Sequence, residues 1–279
     1  MSHDFQRINE TLAHLHDQRL AMPPSQDVKA FQDALLGDMG DGDAWWRYGI
    51  ALSDFQWQNR DAADAVSLAL AIDPLNAAYH QFRGYCHLKL GFLQEAAADF
   101  SVSLKLDPQY WGAAYYLGMT YFYMEEYGRA LGVYDRMWEM TPPSAQWAAY
   151  CNWYYLTARK VGDGQRAAYA LSKTTPDAKP VVSTGTLGNT WDDAAYLNAC
   201  KVYAGWLKPE EVLAGYREKG ENSFDYFMIS LLLGLYFEVE GRAEEARALF
   251  QDIVDRGVGK VKSPAVEWIV EKWLRKAAE

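Results

Sequence analysis

The stretch WGAAYYLGMTYFYMEEYGRALGVYDRMWEMTP, residues 111–142, reads as two short helices and the residues that join them. Leu117 and Gly118 are followed by Tyr121, and Tyr127, Ala130, Tyr134 and Pro142 then fall at the offsets of an antiparallel helix hairpin. A small residue on the first helix lets the second approach closely, and an aromatic on the second fills the gap to the next hairpin. Proline cannot continue a helix, so Pro142 closes the unit. Outward from it, Pro74, Pro108, Pro142 and Pro176 recur every 34 residues, and the first two end the related phrases LALAIDP and VSLKLDP.

This period and these landmarks resemble the tetratricopeptide repeat. The preceding unit, residues 76–108, supplies Gly84, Gly91, Ala96, Phe100 and Pro108. The first, residues 44–74, supplies Trp45, Gly49, Ala62 and Ala69, with its leading helix one residue out of phase. Further along, FMISLLLGLYFEVEGRAEEARALF repeats the offsets through Gly234, Phe237, Gly241, Ala246 and Phe250. The predicted fold is therefore all-α, a tetratricopeptide-repeat superhelix of antiparallel helix hairpins, or α-α solenoid.

Between these copies the pattern changes. Residues 146–171 keep a helical period, but Asn152 replaces the small glycine and the turn at Gly162-Asp163-Gly164 is displaced. PDAKPVVSTGTLGNT, residues 176–190, reads as a loop by its Pro, Gly, Ser and Thr content. Residues 191–206 and 209–219 read as two helices, with Pro209-Glu210-Glu211 a favourable first turn. The expected organisation is an N-terminal helical extension over 1–40 and three repeats plus a divergent unit over 41–176. A loop over 177–190, a helix pair over 191–221 and a last repeat with its cap over 222–279 complete it. PAVEWIVEKWLRK, residues 264–276, is the expected cap, because a terminal repeat otherwise exposes its apolar face.

This order of parts resembles the NlpI-type bacterial tetratricopeptide adaptors. CKVYAGWLKPEEVLAGY, residues 200–216, and GLYFEVEGRAEEARALFQDIVDRGV, residues 234–258, carry the resemblance, which spans the arrangement of residues 44–275. It implies a non-enzymatic scaffold, often a homodimer, that docks proteases or hydrolases and presents substrates to them. That family is lipid-anchored outside the cytoplasm. Here the first 20 residues, MSHDFQRINETLAHLHDQRL, show neither an apolar leader core nor a lipobox, so a cytoplasmic protein is expected unless a native leader has been lost.

Composition narrows the partner. With 37 acidic against 27 basic residues the net charge is −10, which repels nucleic-acid backbones and anionic membranes and favours a neutral or basic partner. The apolar run from Met228 to Phe237 is only about half the length that crosses a bilayer, so membrane insertion is not expected. Trp, Tyr and Phe together make 15 % of the chain, which suits repeat interfaces and contact surfaces. Cys86, Cys151 and Cys200 are odd in number and far apart, so they read as reduced core thiols.

In such arrays the leading helix of each hairpin lines the concave face. That register places Trp46, Tyr85, Lys89, Tyr115, Met119, Phe122, Tyr123 and Trp153 there, as an aromatic protein- or peptide-binding surface. The alternative for these residues is ordinary core. The carboxylate clamp of some family members is not predicted, since its positions hold residues such as Trp46, Ile50, Phe82 and Tyr116.

No catalytic residue, cofactor or metal site is predicted. His14 and His16 point to different sides of a helix, and His80 and His87, two turns apart, have no obvious third ligand. Cys86 and His87 diverge as helix neighbours, and STGTLGNT, residues 183–190, lacks the strand and lysine of a phosphate loop. The leading expectation is a binding adaptor or scaffold. Two alternatives stand beside it: a self-associating homodimeric scaffold, and an enzyme with a site in the irregular region 176–206.

Overall fold

The computed structural model describes residues 26–56, 58–140, 146–184, 190–220 and 223–257. Two expectations, the helical pattern within 1–25 and the capping helix at 264–276, fall outside the described residues, as does the loop centre at 185–189. Among the described residues are thirteen helices and one two-stranded ladder. The chain divides into two compact units, residues 1–124 and 125–279.

The first unit holds α1 (Gln26–Gly37), α2 (Gly42–Gln56), α3 (Asn59–Ile72), α4 (Ala77–Lys89), α5 (Leu93–Leu106) and α6 (Trp111–Tyr123). Each packs against the next, and the first helices of the hairpins, α2, α4 and α6, also touch their neighbours in that series. The predicted landmarks explain the closeness. A β-carbon on Gly84 of α4 would stand 2.9 Å from the Phe100 ring of α5, and one on Gly49 would stand 2.7 Å from Val66 Cγ2. Neither approach tolerates a larger side chain without movement. The turn from α4 to α5 uses Gly91 at φ 75°, and 34 residues later the corresponding turn is made by Glu125 at φ 62°.

The second unit holds α7 (Tyr127–Met137), α8 (Trp147–Lys160), α9 (Gly164–Leu171), β1 (Val182–Thr184), β2 (Thr190–Asp192), α10 (Ala194–Tyr203), α11 (Pro209–Gly220), α12 (Phe224–Val239) and α13 (Ala243–Gly257). Helix α8 packs against α7, α9, α10 and α12, and α12 against α8, α10, α11 and α13. A helix enclosed on all sides must be apolar all round, which accounts for the continuous run in α12. No described helix is long and apolar enough to cross a membrane.

Two local expectations are corrected. The segment read as a loop contains an antiparallel ladder pairing Val182 with Asp192, Ser183 with Trp191 and Thr184 with Thr190. Its signature was present, since β-branched and aromatic residues flank a Gly-containing stretch, but composition alone hid it. Trp191 consequently lies in β2, and the helix begins at Ala194. The buried Asp193 holds the base of the ladder by accepting from the Val181 N–H at 2.7 Å.

The divergent unit has a physical cause. Asn152 stands 34 residues after Gly118, and it is fully buried within 2.7 Å of the Tyr203 hydroxyl of α10. The same hydroxyl lies 3.1 Å from the Leu232 carbonyl oxygen of α12. One hydroxyl hydrogen cannot serve two acceptors at once, so the hydroxyl donates chiefly to the nearer Asn152 Oδ1, with the Leu232 carbonyl as the more distant acceptor. Around it the rings of Tyr155, Tyr203 and Tyr236 stack in series, at 4.7 and 4.9 Å between successive centroids. A polar hook and an aromatic stack thus join three helices where a regular repeat would have placed a glycine contact.

Candidate binding surface

In the first unit, α2 carries Trp46 and α4 carries Tyr85 and Lys89, the three expected binding residues that keep solvent exposure. Trp46, Tyr85 and Lys89 are each half-buried. The Lys89 amine donates to Ser53 Oγ at 2.9 Å and sits 4.3 Å from the centre of the Tyr85 ring. Ser53 in turn donates to Asn59 Oδ1 at 2.9 Å. Burial of the amine lowers the Lys89 pKa, and the nearby Asp54 carboxylate only partly offsets this. Burial likewise raises Asp54, with Lys89 opposing. The arrangement holds a lysine whose charge is poorly solvated, a ready donor to a carbonyl or carboxylate oxygen.

The aromatic surroundings are continuous. Tyr85 meets Tyr116 of α6 at 4.9 Å, Tyr116 meets Tyr115 at 5.1 Å, and Tyr115 stacks on Trp111 at 5.3 Å. Trp46 packs near Tyr79 at 5.9 Å, and the Tyr79 hydroxyl donates to Asp43. The Trp46 indole N–H is buried with no hydrogen-bond partner among the described residues.

The other five expected residues lie in packed surroundings. Tyr115, Met119, Phe122 and Tyr123 are buried on α6, and Trp153, in the second unit, is 1 % exposed. Helix α6 carries an almost unbroken apolar sequence, so its face cannot be told from its core side by spacing. Tyr116 joins the aromatic chain as a half-buried member, although its helix position suggested only the absence of a clamp.

A polar cluster went unrecognised in the sequence. His80, Arg83 and His87 lie on one face of α4 and converge on Asp99 of α5. Arg83 binds both carboxylate oxygens, at 2.9 and 2.7 Å, while His87 Nδ1 lies 3.1 Å and His80 Nδ1 3.4 Å away. Burial would raise the Asp99 carboxyl, but hydrogen bonds from His87 and Arg83 and the Arg83 charge outweigh it and hold the pKa down to about 2. The detectable signal was the single acid in the apolar phrase AAADF facing three basic residues at helical spacing. Both oxygens are taken by the guanidinium, so the cluster is an ion-pair junction between α4 and α5. No group of three or more His, Cys, Asp or Glu able to hold a metal occurs among the described residues.

The cysteines are all buried and free. Burial raises the Cys86 and Cys151 thiols to about 12, so neither supplies a thiolate nucleophile at neutral pH.

No protein-family model matches the sequence, and no curated protein matches it. Among solved structures, a tetratricopeptide repeat protein from Parabacteroides merdae is similar over 98 % of this chain and 100 % of its own, at 15 % identity and a TM-score of 0.56. YrrB, described as a TPR protein with an unusual peptide-binding site, aligns over 89 % of this chain and 99 % of its own, at 14 % identity and TM-score 0.47. MamA aligns over 51 % of this chain and 81 % of its own, at 19 % identity and TM-score 0.47.

Proposed function

We propose that this chain, a tetratricopeptide-repeat protein, is a non-enzymatic scaffold that holds a segment of another protein against Trp46, Tyr85 and Lys89. The carrying observation is the Lys89 amine, desolvated yet bonded, among the described residues, to a hydroxyl and a tyrosine face. A partner's carbonyl or carboxylate oxygen would give it a stronger acceptor. Tyr85 and Tyr116 offer apolar faces with hydroxyls. Tyr115, Met119, Phe122 and Tyr123 are assigned to packing within the first unit, and Trp153 to packing within the second.

Polar groups in the irregular region support this reading over an enzyme. Asp193 is engaged by the Val181 N–H, and the Lys201 amine donates to the Ala178 carbonyl at 2.7 Å, so both hold backbone. Self-association, and proteases or hydrolases as the docked partners, extend the proposal through the NlpI-type resemblance.

The test is a photocrosslinking residue at Gln81, one helical turn before Tyr85. Crosslinks to segments of other proteins, lost in a folded Tyr85→Ala/Lys89→Met variant, are expected. Crosslinks that persist unchanged in that variant would overturn the assignment. Light scattering decides the homodimer.

A further inference from the structure

At one end of the α7, α8 and α9 cluster two indole rings converge on a cation. Trp138 directly follows α7, Trp147 opens α8, and Lys173 lies two residues beyond α9. The Lys173 amine sits 4.2 Å from the centre of the Trp138 ring and 4.1 Å from that of Trp147. The two rings are 5.5 Å apart and inclined at 47°, so they form a notch rather than a stack. Tyr150 makes the floor, with its ring 5.2 Å from Trp147 and 5.9 Å from Trp138. It is fully buried, and its hydroxyl donates to the Tyr134 carbonyl at 2.9 Å, which holds the floor rigid. Tyr169 leans on Trp138 at 4.2 Å while remaining 46 % exposed.

Lys173 is exposed, and its stem belongs to no helix, so it can leave the notch without breaking secondary structure. Aromatic faces attract cations through the ring quadrupole, and several faces around one nitrogen recognise organic ammonium ions. A primary ammonium fits such a notch imperfectly. Its three N–H donors meet ring faces there instead of oxygen acceptors. A quaternary ammonium has no donors to satisfy, and its methyl groups add apolar contact. The chain's net charge of −10 raises the local concentration of any cation.

We propose that Trp138, Trp147 and Tyr150 form an aromatic cage for a trimethylammonium group, and that Lys173 is a tethered occupant which a quaternary ammonium displaces. Nothing in this depends on the surface around Lys89.

The test uses the full chain with tetramethylammonium, choline and Nε-trimethyl-lysine amide as probes, read by tryptophan fluorescence and calorimetry at constant ionic strength. Choline and the lysine derivative separate a soluble ion from a modified side chain as the source, and saturable binding of either supports the cage. Lys173→Ala is expected to bind about tenfold more tightly, since a competing intramolecular cation is removed. Trp147→Phe in that background is expected to weaken binding about tenfold. The neutral isostere 3,3-dimethyl-1-butanol is expected to bind much less well than choline. Absence of saturable binding by folded Lys173→Ala overturns the cage. Equal binding of choline and its neutral isostere overturns cation recognition, and equal affinity of wild type and Lys173→Ala overturns the tethered occupant.

Discussion

The Phe250 ring of α13 lies so close to Gly234 of α12 that a β-carbon on Gly234 would stand 2.6 Å from its Cε1 atom and 2.9 Å from its Cζ atom. Phe250 is fully buried, so the ring has no room to retreat. Gly234→Ala is expected to destabilise the protein by about 1–3 kcal/mol through overpacking. Urea denaturation measures this, and a loss below about 0.5 kcal/mol would show that the hairpin accommodates a methyl group.

Asp99 should make stability depend on acid pH. Its pKa is about 2 in the folded chain against an ordinary 3.8, so its contribution is present above about pH 4 and is lost as the pH falls through about 2. The shift corresponds to roughly 2 kcal/mol. Asp99→Asn, which leaves Arg83 without its carboxylate, is expected to cost about 2–4 kcal/mol at pH 7 and progressively less toward pH 2. A gap between variant and wild type that stays constant over that range would refute the electrostatic origin.

Glu125 is the one described non-glycine residue with positive φ, at 62°, where the earlier repeat uses Gly91. A left-handed conformation costs a side-chain-bearing residue about 1–2 kcal/mol, part of which glycine returns through its greater unfolded-state freedom. Glu125→Gly is expected to raise stability by about 0.5–1 kcal/mol. An unchanged or lowered melting temperature would show that Glu125's own contacts compensate.

Removing the Tyr203 hydroxyl takes away the donor shared by the buried Asn152 Oδ1 and the Leu232 carbonyl. Tyr203→Phe preserves the ring stack, so the expected cost of roughly 1–3 kcal/mol isolates the polar hook. Tyr203→Phe combined with Asn152→Ala is expected to lose less than the sum of the two single changes. Strict additivity would mean that the residues act independently.

Lys89→Met tests whether the surface lysine is held at a stability disadvantage. Burial is the largest influence on its amine and disfavours the charged form, so methionine is expected to leave the melting temperature at or above that of wild type. Partner capture should fall in the same variant. A clear loss of thermal stability would instead mark Lys89 as structural.

By itself the sequence determined the all-α hairpin repeat: proline spacing, Gly84, Gly234 and the aromatics opposite them are local regularities, and helix periodicity converts them directly into faces. It also put Trp46, Tyr85 and Lys89 forward as binding residues, and the structure leaves each of them half-buried. Only the tertiary structure decided that Tyr115, Met119, Phe122, Tyr123 and Trp153 are buried, because apolar spacing is the same for a residue facing a groove and one facing a neighbouring helix. The same holds for Asp99 meeting three basic side chains, Asn152 meeting Tyr203, and Lys173 entering between Trp138 and Trp147. These pairings join residues from 12 to 51 positions apart in the chain, and their partners are chosen by how helices pack rather than by any period along one of them.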